Sequence, residues 1–183
     1  MKLAEVRHIA AEPSVVWAAV LNADVLKQCV PGCESLTGSV ADGFAAVVVQ
    51  KVGPVKARFS GKVTMSDIVE GRSLRISGEG QGGVAGFAKG AANVTMAPAD
   101  GGGTTLTYDV DASVGGKIAQ LGSRIIDGFA KNMAGQFFDR FQNAIEAPDI
   151  PANVDGTDAP GDDNDIDDST DGAKKGWFRR MIG

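Results

Sequence analysis

Residues 118–145 read IAQLGSRIIDGFAKNMAGQFFDRFQNAI. Ile118, Leu121, Ile125, Phe129, Met133, Phe137, Phe141 and Ile145 recur at spacings of three and four, the period of one helical face. Such a stripe predicts one helix of roughly eight turns, ~40–45 Å long at 1.5 Å per residue. Gly122, Gly128 and Gly135 interrupt it, each lowering intrinsic helicity by about 1 kcal/mol. A helix weakened in this way must be held by packing, so its apolar face needs a broad partner.

The chain upstream supplies one. PVKARFSGKVTM (54–65) places Val55, Ala57, Phe59, Gly61, Val63 and Met65 on one side of a strand, with Lys56, Arg58, Ser60, Lys62 and Thr64 on the other. GTTLTYDVDASV (103–114) opposes Leu106, Tyr108, Val110, Ala112 and Val114 to Thr105, Thr107, Asp109, Asp111 and Ser113. Alternation of this kind describes antiparallel strands with one wet face. GFAAVVVQKV (43–52), RSLRISGEG (72–80) and FAKGAANVTM (87–96) read as further strands, separated by Gly, Pro and Asp turn signals. KLAEVRHIA (2–10) is a first strand; AEPSVVWAAVLN and ADVLKQCV then read as two short helices, Pro13 falling in the first turn. One strand, two short helices, about six strands and a long helix give an α+β fold: a curved antiparallel sheet wrapped around the last helix.

The sheet is unusually small-featured where it should meet that helix. Leu74, Ile76, Gly78 and Gly80 share one strand's inward face, and Ala88, Gly90, Ala92 and Val94 the next. Two readings stay open. Glycines can let a helix sit close or a sheet bend, or they can leave room for an internal apolar pocket.

Charge is segregated along the 183 residues. Residues 1–147 carry 14 Lys/Arg and 14 Asp/Glu, residues 148–171 nine aspartates and no base, and residues 174–183 four bases and no acid. The expected organisation is a ligand-binding domain (1–147), a disordered acidic linker (148–173) and a basic amphipathic tip (174–183). The linker, with three prolines and no aromatics, has too little to bury to fold alone. On a helical wheel Trp177, Phe178, Met181 and Ile182 share about 140° of arc, flanked by Lys175, Arg179 and Arg180, with Lys174 at its start and able to snorkel. That composition suits a membrane interface. MKLAEVRHIA does not read as a signal peptide, and two cysteines do not indicate a disulfide framework. The expected location is cytoplasmic, with reversible, peripheral attachment to the inner face of the cell membrane.

Catalytic and metal-site signals are weak, and we assign no catalytic or metal-ligating residue. His8 is the single histidine and lies in the first strand; Cys29 and Cys33 are spaced C-x-x-x-C with no second pair to complete a zinc site. GEGQGGVAG (78–86) lacks the G-K-[ST] of a phosphate loop. A formally neutral body argues against nucleic acid.

VLKQCVPGCESL (25–36), KVGPVKARFSGKV (51–63), SGEGQGGVAGFAKG (77–90) and VGGKIAQLGSRIIDG (114–128) together closely resemble the CoxG family, the G-type accessory proteins of carbon monoxide dehydrogenase. That resemblance implies a START-like, helix-grip fold of the SRPBCC superfamily with a hydrophobic ligand cavity. It further implies an accessory role beside aerobic, molybdenum-containing CO dehydrogenase or a related molybdenum hydroxylase, linking that enzyme to the membrane. On this basis the expected ligand is an isoprenoid quinone, menaquinone or ubiquinone, since electrons from CO oxidation need a lipophilic acceptor. Phe87, Val94, Tyr108, Phe129, Met133 and Phe137 are the expected lining, and the tip residues 174–182 the membrane contact. A ligand-free recruitment scaffold or assembly factor is the alternative; a START-like enzyme ranks behind both for want of an acid–base pair.

Overall fold

A computed structural model describes residues 1–146; the linker and the tip lie outside the described residues. Seven strands form one antiparallel sheet in the order β1-β7-β6-β5-β4-β3-β2. They are β1 (Lys2–Ile9), β2 (Cys33–Ser39), β3 (Gly43–Val52), β4 (Val55–Val69), β5 (Ser73–Gln81), β6 (Phe87–Pro98) and β7 (Thr104–Gly115). Helices α1 (Pro13–Val20) and α2 (Ala23–Cys29) follow β1, and α3 (Ser123–Glu146) is the last element of the described residues. Every connection from β2 to β7 is a local hairpin, so the sheet zips in sequence order until β7 receives β1 along its free edge. The alternation in β4 holds over its first twelve residues, odd-numbered side chains half-buried and even-numbered ones exposed.

Two glycines show how the sheet bends. A Cβ built at Gly61 would lie 2.1 Å from the Glu79 carbonyl oxygen, and one at Gly90 would lie 2.7 Å from the Ala112 Cβ. Neighbouring strands come too close there for any side chain, a place where glycine allows a sheet to bend.

The packed core sits at one end. Val16, Trp17 and Val20 of α1 join Cys29, Leu74, Val94, Met96, Leu106, Tyr108 and Phe141 in one buried cluster. Asn22 caps α2, its Oδ1 accepting from the Asp24 and Val25 amides at 2.9 and 3.2 Å. Thr104 is fully buried and donates its hydroxyl to the Ala11 carbonyl at 2.7 Å, tying the β1–α1 turn to the head of β7.

The long helix is shorter than its periodicity predicts. Residues Gly116–Leu121 form a separate 3₁₀ segment, and α3 starts at Ser123, giving 24 residues and ~36 Å. The cause is backbone handedness: Gly116 and Gly122 adopt φ of 79° and 87°, a left-handed conformation that no α-helix continues through. Ile118 and Leu121 therefore share the stripe's spacing without sharing its helix.

Gly128 and Gly135, by contrast, lie inside α3, and a Cβ built at either meets nothing within 4 Å. Replacing each by alanine should stabilise the protein by about 1 kcal/mol, a rise of about 2–4 °C in thermal midpoint. Calorimetry of Gly128→Ala and Gly135→Ala checks this.

Candidate ligand cavity

Three adjoining hollows lie on the inner face of the sheet, two of them walled on the other side by α3. The first, about 280 Å³, is walled by Val20, Leu26, Ile76, Leu106, Val110 and the α3 aromatics among others. Of its fifteen lining residues only Tyr108 bears a side-chain oxygen or nitrogen. A second, about 250 Å³, lies nearer the start of α3, lined by Val52, Phe59, Ile118, Ile126 and Phe129 among others. A third, about 350 Å³, opens beneath β2–β7. Met133 stands in the walls of the first and second, while Val48, Phe59, Gly80 and Ala88 are common to the second and third. A flexible thioether between two apolar chambers can swing to join or divide them.

Why the space exists is visible at the glycines. A Cβ added at Gly78 would meet only Val63 Cγ2 and the Lys62 carbonyl, and one at Gly80 only Phe59 Cβ and the Ser60 carbonyl. No atom of α3 comes within 4 Å of either position. The small residues therefore hold volume open and do not bring the helix in. Individually near the lower end of the ~300–1,000 Å³ typical of small-molecule sites, the hollows adjoin along the sheet.

One flank of the first hollow is charged. β1 is the edge strand, and Glu5 and Arg7 are half-buried on its inward side while Val6 points outward at 65 % exposure. The Tyr108 hydroxyl donates to Glu5 Oε2 at 2.8 Å, and the same oxygen accepts from the Arg7 guanidinium at 2.7 Å. Phe138 stacks on the Tyr108 ring with centroids 5.1 Å apart and lies 5.5 Å beneath the Arg7 guanidinium, within cation–π range. Arg7 Nε is sealed from solvent without a hydrogen-bond partner. The Tyr108 hydrogen bond, aided by Arg7, holds the Glu5 carboxyl below its ordinary range, whereas burial and the Glu5 carboxylate push the Tyr108 phenol up. Tyr108 thus gives its ring to the cavity wall and donates a hydrogen bond to an ionised carboxylate while keeping its proton.

The six residues expected to line a pocket divide as follows. Val94, Tyr108, Met133 and Phe137 meet in the first hollow, and Met133 with Phe129 in the second. Phe87 does not join them. Inward positions of β6 are even-numbered, so Phe87 falls on the outer face, 38 % exposed, its ring across Gly115 of β7. Strand parity excluded it, because Ala88, Gly90 and Val94 already fixed which side faces the helix. Residues 174–182 lie outside the described residues.

Sequence reasoning missed Phe138, Ile76, Leu106 and the α1–α2 contributions. Phe138 lies one residue off the stripe, and only a second row with Ala134, at spacing four, signals a broader apolar arc. His8 is exposed on the outer side of β1. Cys29 is buried in the core and Cys33 lines the third hollow, both as free thiols. Among the described residues no cluster of three or more His, Cys, Asp or Glu could hold a metal, and no helix is long and apolar enough to cross a membrane.

Comparison with known proteins agrees with this architecture. The profile of the carbon monoxide dehydrogenase G-subunit family (CoxG) matches residues 6–146. No curated protein matches the chain. Among solved structures, a conserved protein from Geobacillus kaustophilus superposes with a TM-score of 0.74 at 27% identity, covering 79% of this chain and 95% of its own. A Rhizobium leguminosarum protein gives 0.62 at 16% identity (80% and 94% covered), and a START superfamily protein from Mycobacterium smegmatis 0.58 at 14% (79% and 97%). The last two carry the fold alone, and that fold is START-like.

Replacing Tyr108 by Phe keeps the wall and removes the hydroxyl. The Glu5 carboxyl should then titrate closer to its ordinary range, and stability at neutral pH should fall by about 1 kcal/mol, a charged hydrogen bond discounted for partial solvent exposure. Because the folded-state value is depressed, this stabilisation is present above the carboxyl's ordinary range and is lost as pH falls through its folded value. Wild type and Tyr108→Phe should therefore converge in acid, as read by denaturant unfolding across pH with carbonyl NMR of Glu5.

Proposed function

This chain belongs to the CoxG family of carbon monoxide dehydrogenase accessory proteins, and from that premise we propose a non-enzymatic accessory protein. It binds a hydrophobic ligand in the hollows between sheet and helix. The ligand is an isoprenoid quinone, menaquinone or ubiquinone, and the protein links an aerobic molybdenum CO dehydrogenase, or a related hydroxylase, to the membrane's quinone pool. The observation that carries the reading is the chain of adjoining hydrocarbon chambers, about 280, 250 and 350 Å³, held open by glycines that α3 does not approach.

The chemistry of the wall favours such a ligand. The first chamber offers aromatic faces from Phe137, Phe138 and Tyr108 with aliphatic surface from Val94, Leu106 and Val110. Offset stacking suits a flat ring, and the aliphatic remainder suits a branched hydrocarbon tail at ~25 cal/mol per Å² buried. A polar substrate would lose its hydration without compensation there. Beside the first chamber the charged groups are Glu5 and Arg7, which pair with one another, and Glu5 also accepts from Tyr108, which offers no free acid–base pair there to support an enzyme.

The tail completes the reading. Residues 148–173 act as an acidic tether, and 174–183 as the element that touches lipid. Four cations at ~1 kcal/mol each near an anionic leaflet, with Trp177 and Phe178 beside them, give reversible attachment.

Two measurements test this. Lipid extraction and mass spectrometry of full-length protein purified from its host should recover an isoprenoid quinone at near-equimolar amount. Gly80→Val, whose added side chain points into the second and third chambers, should lower that recovery several-fold with an unchanged fold. Recovery of no lipid from either would leave the ligand-free scaffold as the function. Separately, deleting residues 174–183 should weaken co-sedimentation with phosphatidylglycerol vesicles about tenfold or more at unchanged thermal midpoint; unchanged sedimentation would move the tip onto a protein partner.

A further inference from the structure

The two ends of the sheet carry opposite charge, and the difference is written in the turns. At the end where α1 begins, the turns around 10–12, 40–43, 66–73 and 98–104 hold Glu12, Asp42, Asp67, Glu70 and Asp100 against one base, Arg72. The far end is built from residues 51–56, 82–88 and 115–126. These hold Lys51, Lys56, Lys117 and Arg124, against one neighbouring carboxylate, Asp127, a residue further along α3. All four cations are exposed.

The cationic end also exposes hydrocarbon. Val84, at the tip of a 3₁₀ turn (Gly83–Ala85) between β5 and β6, is 85 % exposed, and Ile125 in the first turn of α3 is 43 % exposed. Nothing in the fold requires a valine there, since a tip so open gains no burial. Exposed aliphatics ringed by bases are what a protein presents to a lipid–water interface.

Directly behind this surface lies the second chamber, walled by Val52, Ala88, Ile118 and Ile126. Its cover is the 3₁₀ segment Gly116–Leu121, whose one buried side chain, Ile118, faces inward while Lys117 faces solvent. The segment is bounded by Gly116 and Gly122, both at positive φ. Its root is pinned against the Val84 turn, where a Cβ at Gly86 would lie 1.9 Å from the Gly115 carbonyl oxygen. Surface and cover are thus one unit.

We propose that this end of the body is a second lipid-contacting surface, distinct from the tail. Val84 and Ile125 enter the apolar edge of an anionic bilayer while Lys51, Lys56, Lys117 and Arg124 meet headgroup phosphates. The Gly116–Leu121 cover is then the door through which a lipophilic molecule passes between bilayer and chamber. That last clause rests on the ligand reading above; the surface itself does not.

The test uses full-length protein and vesicles of phosphatidylglycerol and phosphatidylcholine in equal parts, containing no quinone. Lys117→Glu/Arg124→Glu and, separately, Val84→Asp/Ile125→Asp should each weaken co-sedimentation about tenfold or more, the first pair losing its effect at high salt. Lys62→Glu/Arg75→Glu makes the same change of net charge on the outer face away from this end, and should stay within about twofold of wild type. Val84→Asp alone, at a fully open tip, guards against misfolding and should show a smaller loss of the same sign. Unchanged binding by the end variants would overturn the proposal, and so would an equal loss from Lys62→Glu/Arg75→Glu. Because the vesicles carry no cargo, an empty cavity in purified protein would leave this result standing, and failure here would leave the cavity reading intact.

Discussion

The structure depends on a mismatch of size across one interface. A helix bearing Phe129, Met133, Phe137, Phe138 and Phe141 faces a sheet whose middle offers Gly78, Gly80, Ala88, Gly90, Ala92 and Ala112. Large against small would ordinarily close up, since protein interiors pack at the density of organic crystals. Closure is prevented here because the helix is fixed at its far end, where Phe141 is wholly buried among α1, α2 and the tops of the strands. At Gly78 and Gly80 an added Cβ would meet only neighbouring strands and no atom of α3 within 4 Å. The core holds the helix at that end, and the first chamber opens against the core's own side chains while the second lies nearer the start of α3.

Stability and function meet in the first chamber, where Val20, Val94, Leu106, Tyr108 and Phe141 belong both to the core and to the cavity wall. Residues from Trp17 to Met96 supply the burial that keeps the domain folded. The chambers nearer the start of α3 contribute little, and an empty apolar chamber forgoes the dispersion contacts a filled one would have. A bound hydrocarbon would restore them, so ligand and fold should stabilise one another. The charged cluster of Glu5, Arg7 and Tyr108 sits at the boundary, its members bonded to one another except at Arg7 Nε, and it places no polar side chain in the first chamber's wall apart from the tyrosine.

Much of this was legible in the sequence because period-two alternation in β4 and β7 and period-three-to-four recurrence in α3 are direct consequences of burying one face. Parity placed Val94 and Tyr108 correctly, and its neglect misplaced Phe87. The start of α3 was not legible, since Ile118 and Leu121 carry the right spacing while the handedness of Gly116 and Gly122 decides the break. Nor was the inward-facing pair Glu5 and Arg7, because an edge strand with charges inside and Val6 outside inverts the usual pattern. Whether small residues meant close packing or open space was undecidable from periodicity, which gives direction and no distance.

The central claim is that the interval between sheet and helix is real, dry hydrocarbon space. Crystals of the protein stripped of lipid and pressurised with xenon would probe it directly, since dry apolar cavities take up xenon. Ordered xenon among Val94, Leu106, Met133 and Phe137, with α3 in place, is the result this account predicts. No xenon there, with the phenylalanines collapsed onto Gly78, Gly80 and Ala92, would contradict it.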